Sequence, residues 1–124
     1  SNFTFEEIDM QYMFLIAASE ADVNALSEEA MGQLMGAYGA YTEAMVQAGV
    51  LVSGERLQPV ATATTVRVRD GKTSVLDGPY VEAREQLGGF YIIEVPDLDA
   101  ALGWAARCPS AAYGSIEVRP VWQM

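Results

Sequence analysis

The stretch DGPYVEAREQLGGFYIIEV, Asp77 to Val95, brings together a rigid turn, a charged segment, two glycines and an apolar run. Asp77-Gly78-Pro79 is turn chemistry: the Asp side chain can accept a backbone N–H, Gly permits φ > 0, and Pro fixes φ and removes a donor. Gly88-Gly89 is expected to break whatever structure Val81 to Leu87 adopts. Phe90 to Val95 has the length and the aromatic and β-branched content of a strand deep in a sheet.

Upstream, Gln11 to Ala17 (QYMFLIA) is apolar on both alternating faces, which predicts a central strand covered on two sides. Ser19 to Asn24 reads as a polar connection. Ser27 is a good N-cap, and Glu28 and Glu29 suit the dipole at a helix start. Met31, Leu34, Met35, Tyr38, Tyr41, Met45 and Ala48 recur at three- and four-residue spacing, which predicts one long amphipathic helix ending at Gly49. A second strand follows at Val50 to Leu57, with Gly54-Glu55 read as a bulge or as a solvated strand end. Thr62 to Arg69 alternates, Asp70-Gly71 supplies a two-residue hairpin turn, and Lys72 to Leu76 returns toward Asp77.

Downstream, Pro96-Asp97 caps a second helix whose inner face is Leu98, Ala101, Leu102 and Ala105, with Arg107 suiting its C-terminus and Pro109 ending it. Ser110 to Gly114 reads as a short loop. The last strand, Ser115 to Pro120, alternates Ile116 and Val118 with Glu117 and Arg119. With the hairpin set aside, the order is βαββαβ: an α+β, ferredoxin-like fold with an inserted β-hairpin, an antiparallel sheet, and two helices on one face. Because the first and fourth strands are apolar on the open face too, a second subunit related by two-fold symmetry is expected to cover it.

A chain of 124 residues is expected to form one domain over residues 10–124. Residues 1–9 read as an N-terminal extension, in part left over from cloning, with Met10 as a candidate native start. The net charge of −10, with 17 acidic residues against seven basic ones, argues against nucleic-acid or anionic-membrane partners. A neutral or cationic small ligand fits that field better, although a local Arg pocket can still hold an anion. The one cysteine, Cys108, excludes an intrachain disulfide and a cysteine zinc site, and cysteine usage of this kind suggests a cytoplasmic address. No apolar run is long enough to span a bilayer. Without histidine, and with scattered acids, neither a metal nor another cofactor is expected.

The motifs DGPYVEAREQLGGFYIIEV, DLDAALGWAARCP and IEVRPV together resemble the DGPF-type branch of the YCII-related family, over about Met10 to Val121. The resemblance implies a ferredoxin-like fold that pairs into a dimeric α/β barrel. It also implies a family largely without assigned function, some of whose members are proposed to use a His–Asp pair in a cleft. One kind acts as a dehydrochlorinase on a chlorinated hydroxyquinone, and DGPF members often occur beside or fused to sigma factors. Of the His–Asp pair only the Asp carries over, to Asp77. The chain has no histidine, and where such relatives keep theirs, in the first long helix, this chain offers Met, Tyr and Gly.

Candidate site residues follow from a cleft on the dimer-covered sheet face. Asp77 at its mouth is the candidate catalytic base, since desolvation would raise its pKa. Arg119 can hold a carboxylate bidentately, and Glu117, Tyr80 and Tyr38 are candidate ligand-binding groups. Each has a structural alternative: Glu117 and Arg119 pair on a wet surface, Asp77 caps its own turn, Tyr38 packs in the core, and the charges around Tyr80 are a solvated loop. Two functions stay open: a cofactor-free lyase or dehydrochlorinase-like enzyme on a small polar or phenolic molecule, and a non-catalytic ligand-binding or regulatory accessory module.

Overall fold

In a computed structural model describing residues 9–124, the chain forms β1 (Met10–Ala18), α1 (Glu20–Asn24), α2 (Glu28–Gln47), β2 (Leu51–Arg56), β3 (Thr64–Arg69), β4 (Lys72–Asp77), β5 (Gln86–Val95), α3 (Leu98–Arg107) and β6 (Ser115–Pro120). Four strands make one antiparallel sheet in the order β2-β5-β1-β6, and β3 and β4 pair only with each other. This is the expected split βαββαβ arrangement with a hairpin inserted between its second and third sheet strands. Residues 1–8, most of the expected N-terminal extension, lie outside the described residues. Among the described residues, no helix is long and apolar enough to cross a membrane.

Register decides which side chains meet. Phe14 stands opposite Tyr91 and Val118, and Ile16 opposite Gly89 and Ile116, so these residues share the face on which the helices pack. Tyr12, Phe14 and Ile16 are buried there with Ile93, Val95, Tyr41, Met45, Ala101 and Ala105. Phe14, Met45, Ile93 and Val95 are fully enclosed, each burial favouring the fold by about 1.5–3 kcal/mol before entropy is counted. Tyr41 joins the layers: its hydroxyl donates to the Trp104 carbonyl at 2.8 Å, and its ring meets Tyr91 edge-on with centroids 5.6 Å apart. On the other face, Met13, Leu15, Phe90 and Ile92 stand together in register and are only half-buried.

The local signals act as the sequence implies. Ser27 Oγ accepts the Ala30 N–H at 3.1 Å and Asp97 accepts that of Ala100 at 2.9 Å, capping α2 and α3. Gly49, at φ +72°, ends α2 in the left-handed conformation. Asp70 and Gly71, at φ +52° and +73°, make the tight hairpin turn between β3 and β4.

Three local readings differ. Ser19 to Asn24 is a capped helical turn, because Ser19 Oγ accepts the Asp22 N–H at 3.2 Å. Ser110 to Gly114 begins within a 3-10 turn, Pro109–Ala112. Gly88-Gly89 does not interrupt the structure: β5 starts at Gln86 and runs through both glycines. The reason is steric, since a Cβ on Gly89 would sit 2.8 Å from the Glu55 carbonyl oxygen of β2. The glycine lets two strands approach closely rather than breaking one.

Two glycine-to-alanine changes should move stability in opposite directions. At Gly54 a Cβ would meet Tyr91 Cδ1 at 2.5 Å and the Phe90 carbonyl at 3.0 Å, so Gly54→Ala should cost about 1–3 kcal/mol. At Gly103, inside α3, a Cβ meets nothing within 4 Å, so Gly103→Ala should gain about 0.5–1 kcal/mol. Urea unfolding of both variants beside wild type checks the pair.

Candidate functional site

A cavity of about 390 Å³ lies on the helix side of the sheet. Leu34, Met35, Tyr38 and Thr42 of α2 form one wall, Val23 of α1 narrows the mouth, and Ile16, Gly89 and Tyr91 supply the floor. Gly89 faces the helices between Ile16 and Arg56 in the sheet register. Having no side chain there, it leaves the space that a larger residue would fill. Its volume lies within the range of small-molecule sites, as does its mostly apolar lining with a few convergent polar groups.

The rim is held by one acidic residue whose hydrogen bonds join segments distant in sequence. The Glu20 carboxylate accepts the Val60 N–H at 3.1 and 3.2 Å, and the Glu20 N–H donates to Gln86 Oε1 at 2.8 Å. These bonds tie α1 to the loop after β2 and to the start of β5. Arg56, also at the rim, directs Nη1 toward the Met35 sulfur at 3.8 Å.

One end is a chain of hydroxyls anchored on a buried thiol and running out to Tyr113, which is exposed. Cys108 Sγ lies 3.5 Å from Tyr38 Oη, Tyr38 Oη is hydrogen-bonded to Ser110 Oγ, and Ser110 Oγ is 3.2 Å from Tyr113 Oη. Tyr38, Ser110 and Tyr113 line the cavity, whereas Cys108 stands behind them with 2 % of its surface exposed. A second pair, Thr42 Oγ1 and Tyr91 Oη, 2.8 Å apart, lines the cavity one helical turn from Tyr38.

Burial sets the electrostatics. It pushes the Tyr38 and Tyr41 hydroxyls well above the usual phenol value, at Tyr38 against the opposing effect of the Ser110 hydrogen bond. Tyr91 is raised by burial against its bond to Thr42, and Cys108 by burial against bonds from Tyr38 and the Ser110 backbone. All four therefore stay neutral well past neutral pH. None of these four groups exchanges a proton readily at pH 7.

Of the residues singled out by sequence, Tyr38 alone lines this cavity. Asp77 ends β4 on the exposed hairpin and Tyr80 follows it, also exposed; neither lines the cavity. Asp77 is carried there because the β3–β4 hairpin pairs with itself and not with the sheet. Glu117 and Arg119 do lie on the open sheet face, beside Leu15, Ala17 and Leu87. Their side chains approach to 3.7 Å while 64 % and 71 % exposed, a pairing worth about 1 kcal/mol at most. Among the described residues, no three of His, Cys, Asp and Glu gather where a metal ion would bind.

Ser110, Tyr113, Thr42 and Tyr91 were not singled out by the sequence reading. Tyr38 and Thr42 stand four apart on one helix face, and Ser110 and Tyr113 three apart in a helical turn, so each hydroxyl pair shares a side. That spacing was legible. The meeting of the two segments across about seventy residues was not.

A family model for the YCII-related domain matches residues 10–124, and an uncharacterized protein of Rhizobium meliloti (strain 1021) is 40 % identical over 114 residues, covering 90 % of this chain and 92 % of the relative. The chain belongs to the YCII-related family.

Raised phenol and thiol pKa values give two measurable consequences. Cys108 should react with a thiol reagent such as Ellman's at least tenfold more slowly than a free thiol at pH 8, and at the ordinary rate once urea unfolds the chain. Since the folded pKa values lie above the unfolded ones, their contribution to stability is intact below the usual values of 9.0 for the thiol and 10.0 for the phenols. It is lost as pH rises past them, because the unfolded chain releases its protons first. The melting temperature should therefore fall steadily above pH 9–10, a flat profile to pH 11 being the contrary result.

Proposed function

We propose that this YCII-related protein is a non-catalytic binding module. It takes a small, mostly apolar organic molecule into the cavity between α2 and the sheet. The observation that carries the reading is the cavity's composition: about 390 Å³, apolar walls, and hydroxyls of Tyr38, Ser110 and Tyr113 gathered at one end. Burial holds Tyr38 at that end neutral, and Asp77, the acid that resemblance offers as a base, stands outside on an exposed hairpin. A lyase using Asp77 would need its substrate on that hairpin, away from the cavity. The sequence Asp77-Gly78-Pro79-Tyr80 supports assignment to the DGPF-type branch.

The protein also works as a homodimer joined through the open sheet face. Met13, Leu15, Phe90 and Ile92 form an apolar stripe there with no helix over it, flanked by Glu55 on one side and Glu117 and Arg119 on the other. An apolar center with a charged rim is the anatomy of a protein interface.

Two experiments test these readings. Neutral aromatic compounds should raise the melting temperature and bind saturably, and Leu34→Trp, which fills the cavity from the α2 wall, should weaken that binding at least tenfold while the protein still unfolds cooperatively. Binding unaffected by the tryptophan would reject the cavity as the site. In sedimentation velocity, wild type should run as a dimer, and Leu15→Arg combined with Ile92→Asp should run as a folded monomer; a wild-type monomer at tens of micromolar would reject the pairing.

A further inference from the structure

Among the described residues, Arg56 is the one basic residue that lines the cavity, and the fold aims it there. It stands opposite Gly89 in the sheet register, and Gly89 stands opposite Ile16, so all three share the helix side. β2 is an edge strand, which puts Arg56 at the border of the sheet, and Gly89 has no side chain to fill the space beside it. The guanidinium reaches across to α2, with Nη1 3.8 Å from the Met35 sulfur.

What the guanidinium meets there is a poor partner. Arginine carries N–H donors in a planar fork and no acceptor at any ordinary pH, so its part in a contact is always donation, and a thioether is a weak acceptor. The chain has 17 acidic residues, yet among the described residues none stands within ion-pair distance of Arg56, the pair being Glu117 with Arg119. The two acids that also line the cavity do not complete it. Both Glu20 oxygens accept the Val60 N–H, at 3.2 and 3.1 Å, and Glu55 stands opposite Phe90, on the open sheet face.

We propose that the cavity takes an organic anion, an apolar ring system bearing one carboxylate, with the carboxylate on Arg56 at the rim and the apolar body against Leu34, Ile16 and Gly89. This rests on the cavity-binding reading above and adds to it the charge and orientation of the ligand. A carboxylate matches the guanidinium fork with two parallel hydrogen bonds. A phosphate monoester, carrying about two charges, would leave one unmatched near Glu20, since no second cation lines the cavity among the described residues. The apolar part goes toward Tyr38 and Tyr91, where the burial that keeps both phenols neutral works equally against a carboxylate.

Three naphthalenes of nearly equal shape test this, titrated calorimetrically into the intact protein: naphthylacetate, its uncharged amide, and naphthylethylammonium. The amide measures the cavity without charge. The acetate should bind about three- to tenfold tighter than the amide, the advantage of one partly exposed bidentate pair, and the ammonium should bind weakest. Arg56→Gln should bring the acetate down to the affinity of the amide, Arg56→Lys should keep part of the difference, and about 0.5 M NaCl should shrink it in wild type. If the amide binds and responds to Leu34→Trp, yet the acetate is no tighter, the ammonium is tightest, or the difference survives Arg56→Gln, the carboxylate assignment is overturned and the cavity reading stands. If none of the three binds, both are overturned.

Discussion

The structure depends on β1 being apolar on both faces. Tyr12, Phe14 and Ile16 point to one side and Met13, Leu15 and Ala17 to the other, so a strand of this composition is stable only at the center of a sheet covered twice. Antiparallel pairing with β5 and β6 meets the backbone requirement. The two long helices meet the side-chain requirement on one side, closing over Phe14, Ile93 and Met45 until none is exposed. The other side is left half-buried.

Over that same sheet the helix layer is not packed to uniform depth. Where Ala101 and Ala105 of α3 approach the sheet, small residues allow close contact and the core is dense. Where α2 crosses β5 at Gly89, the strand contributes no side chain and the helix contributes Leu34 and Tyr38, which reach only part of the way. Gly89 has no Cβ because β2 comes within van der Waals distance of it at Glu55. The cavity floor is thus a by-product of a backbone contact between two strands, while its rim and one end are closed by the loop after β2 and by the turn that carries Ser110 and Tyr113.

Much of this was legible in the sequence, for reasons that can be stated residue by residue. Element types followed from periodicity and caps: Ser27, Gly49, Asp70-Gly71 and Asp97 each work through bonds or torsions within four residues of themselves, so no tertiary knowledge was needed. The open face followed from the alternation of Glu117 and Arg119 with Ile116 and Val118. Gly88-Gly89 misled because a glycine pair that breaks a strand and one that admits a neighboring strand look the same until the neighbor is known. At Asp77-Gly78-Pro79 the turn is legible locally, whereas the way the hairpin that carries it leaves the sheet is encoded by no local signal. Ser110 was passed over as loop filler, although it is among the most deeply buried residues of the chain at 4 % exposure.

The site that emerges differs in kind from an acid–base pair. Acid–base catalysis near neutral pH needs a group whose two protonation states are close in energy, and burial acts on carboxylates, phenols and thiols in the same direction, toward the neutral form. For a carboxylate in such a place that shift moves the pKa toward 7 and creates a base. For the phenols and thiol found here it moves the pKa further from 7 and removes one. Tyr38 standing against Ser110 and Cys108 is therefore held as a hydrogen-bonding group rather than one that transfers protons. The chain has no histidine, and Glu20, an acid at the cavity rim, is engaged in tying loops together.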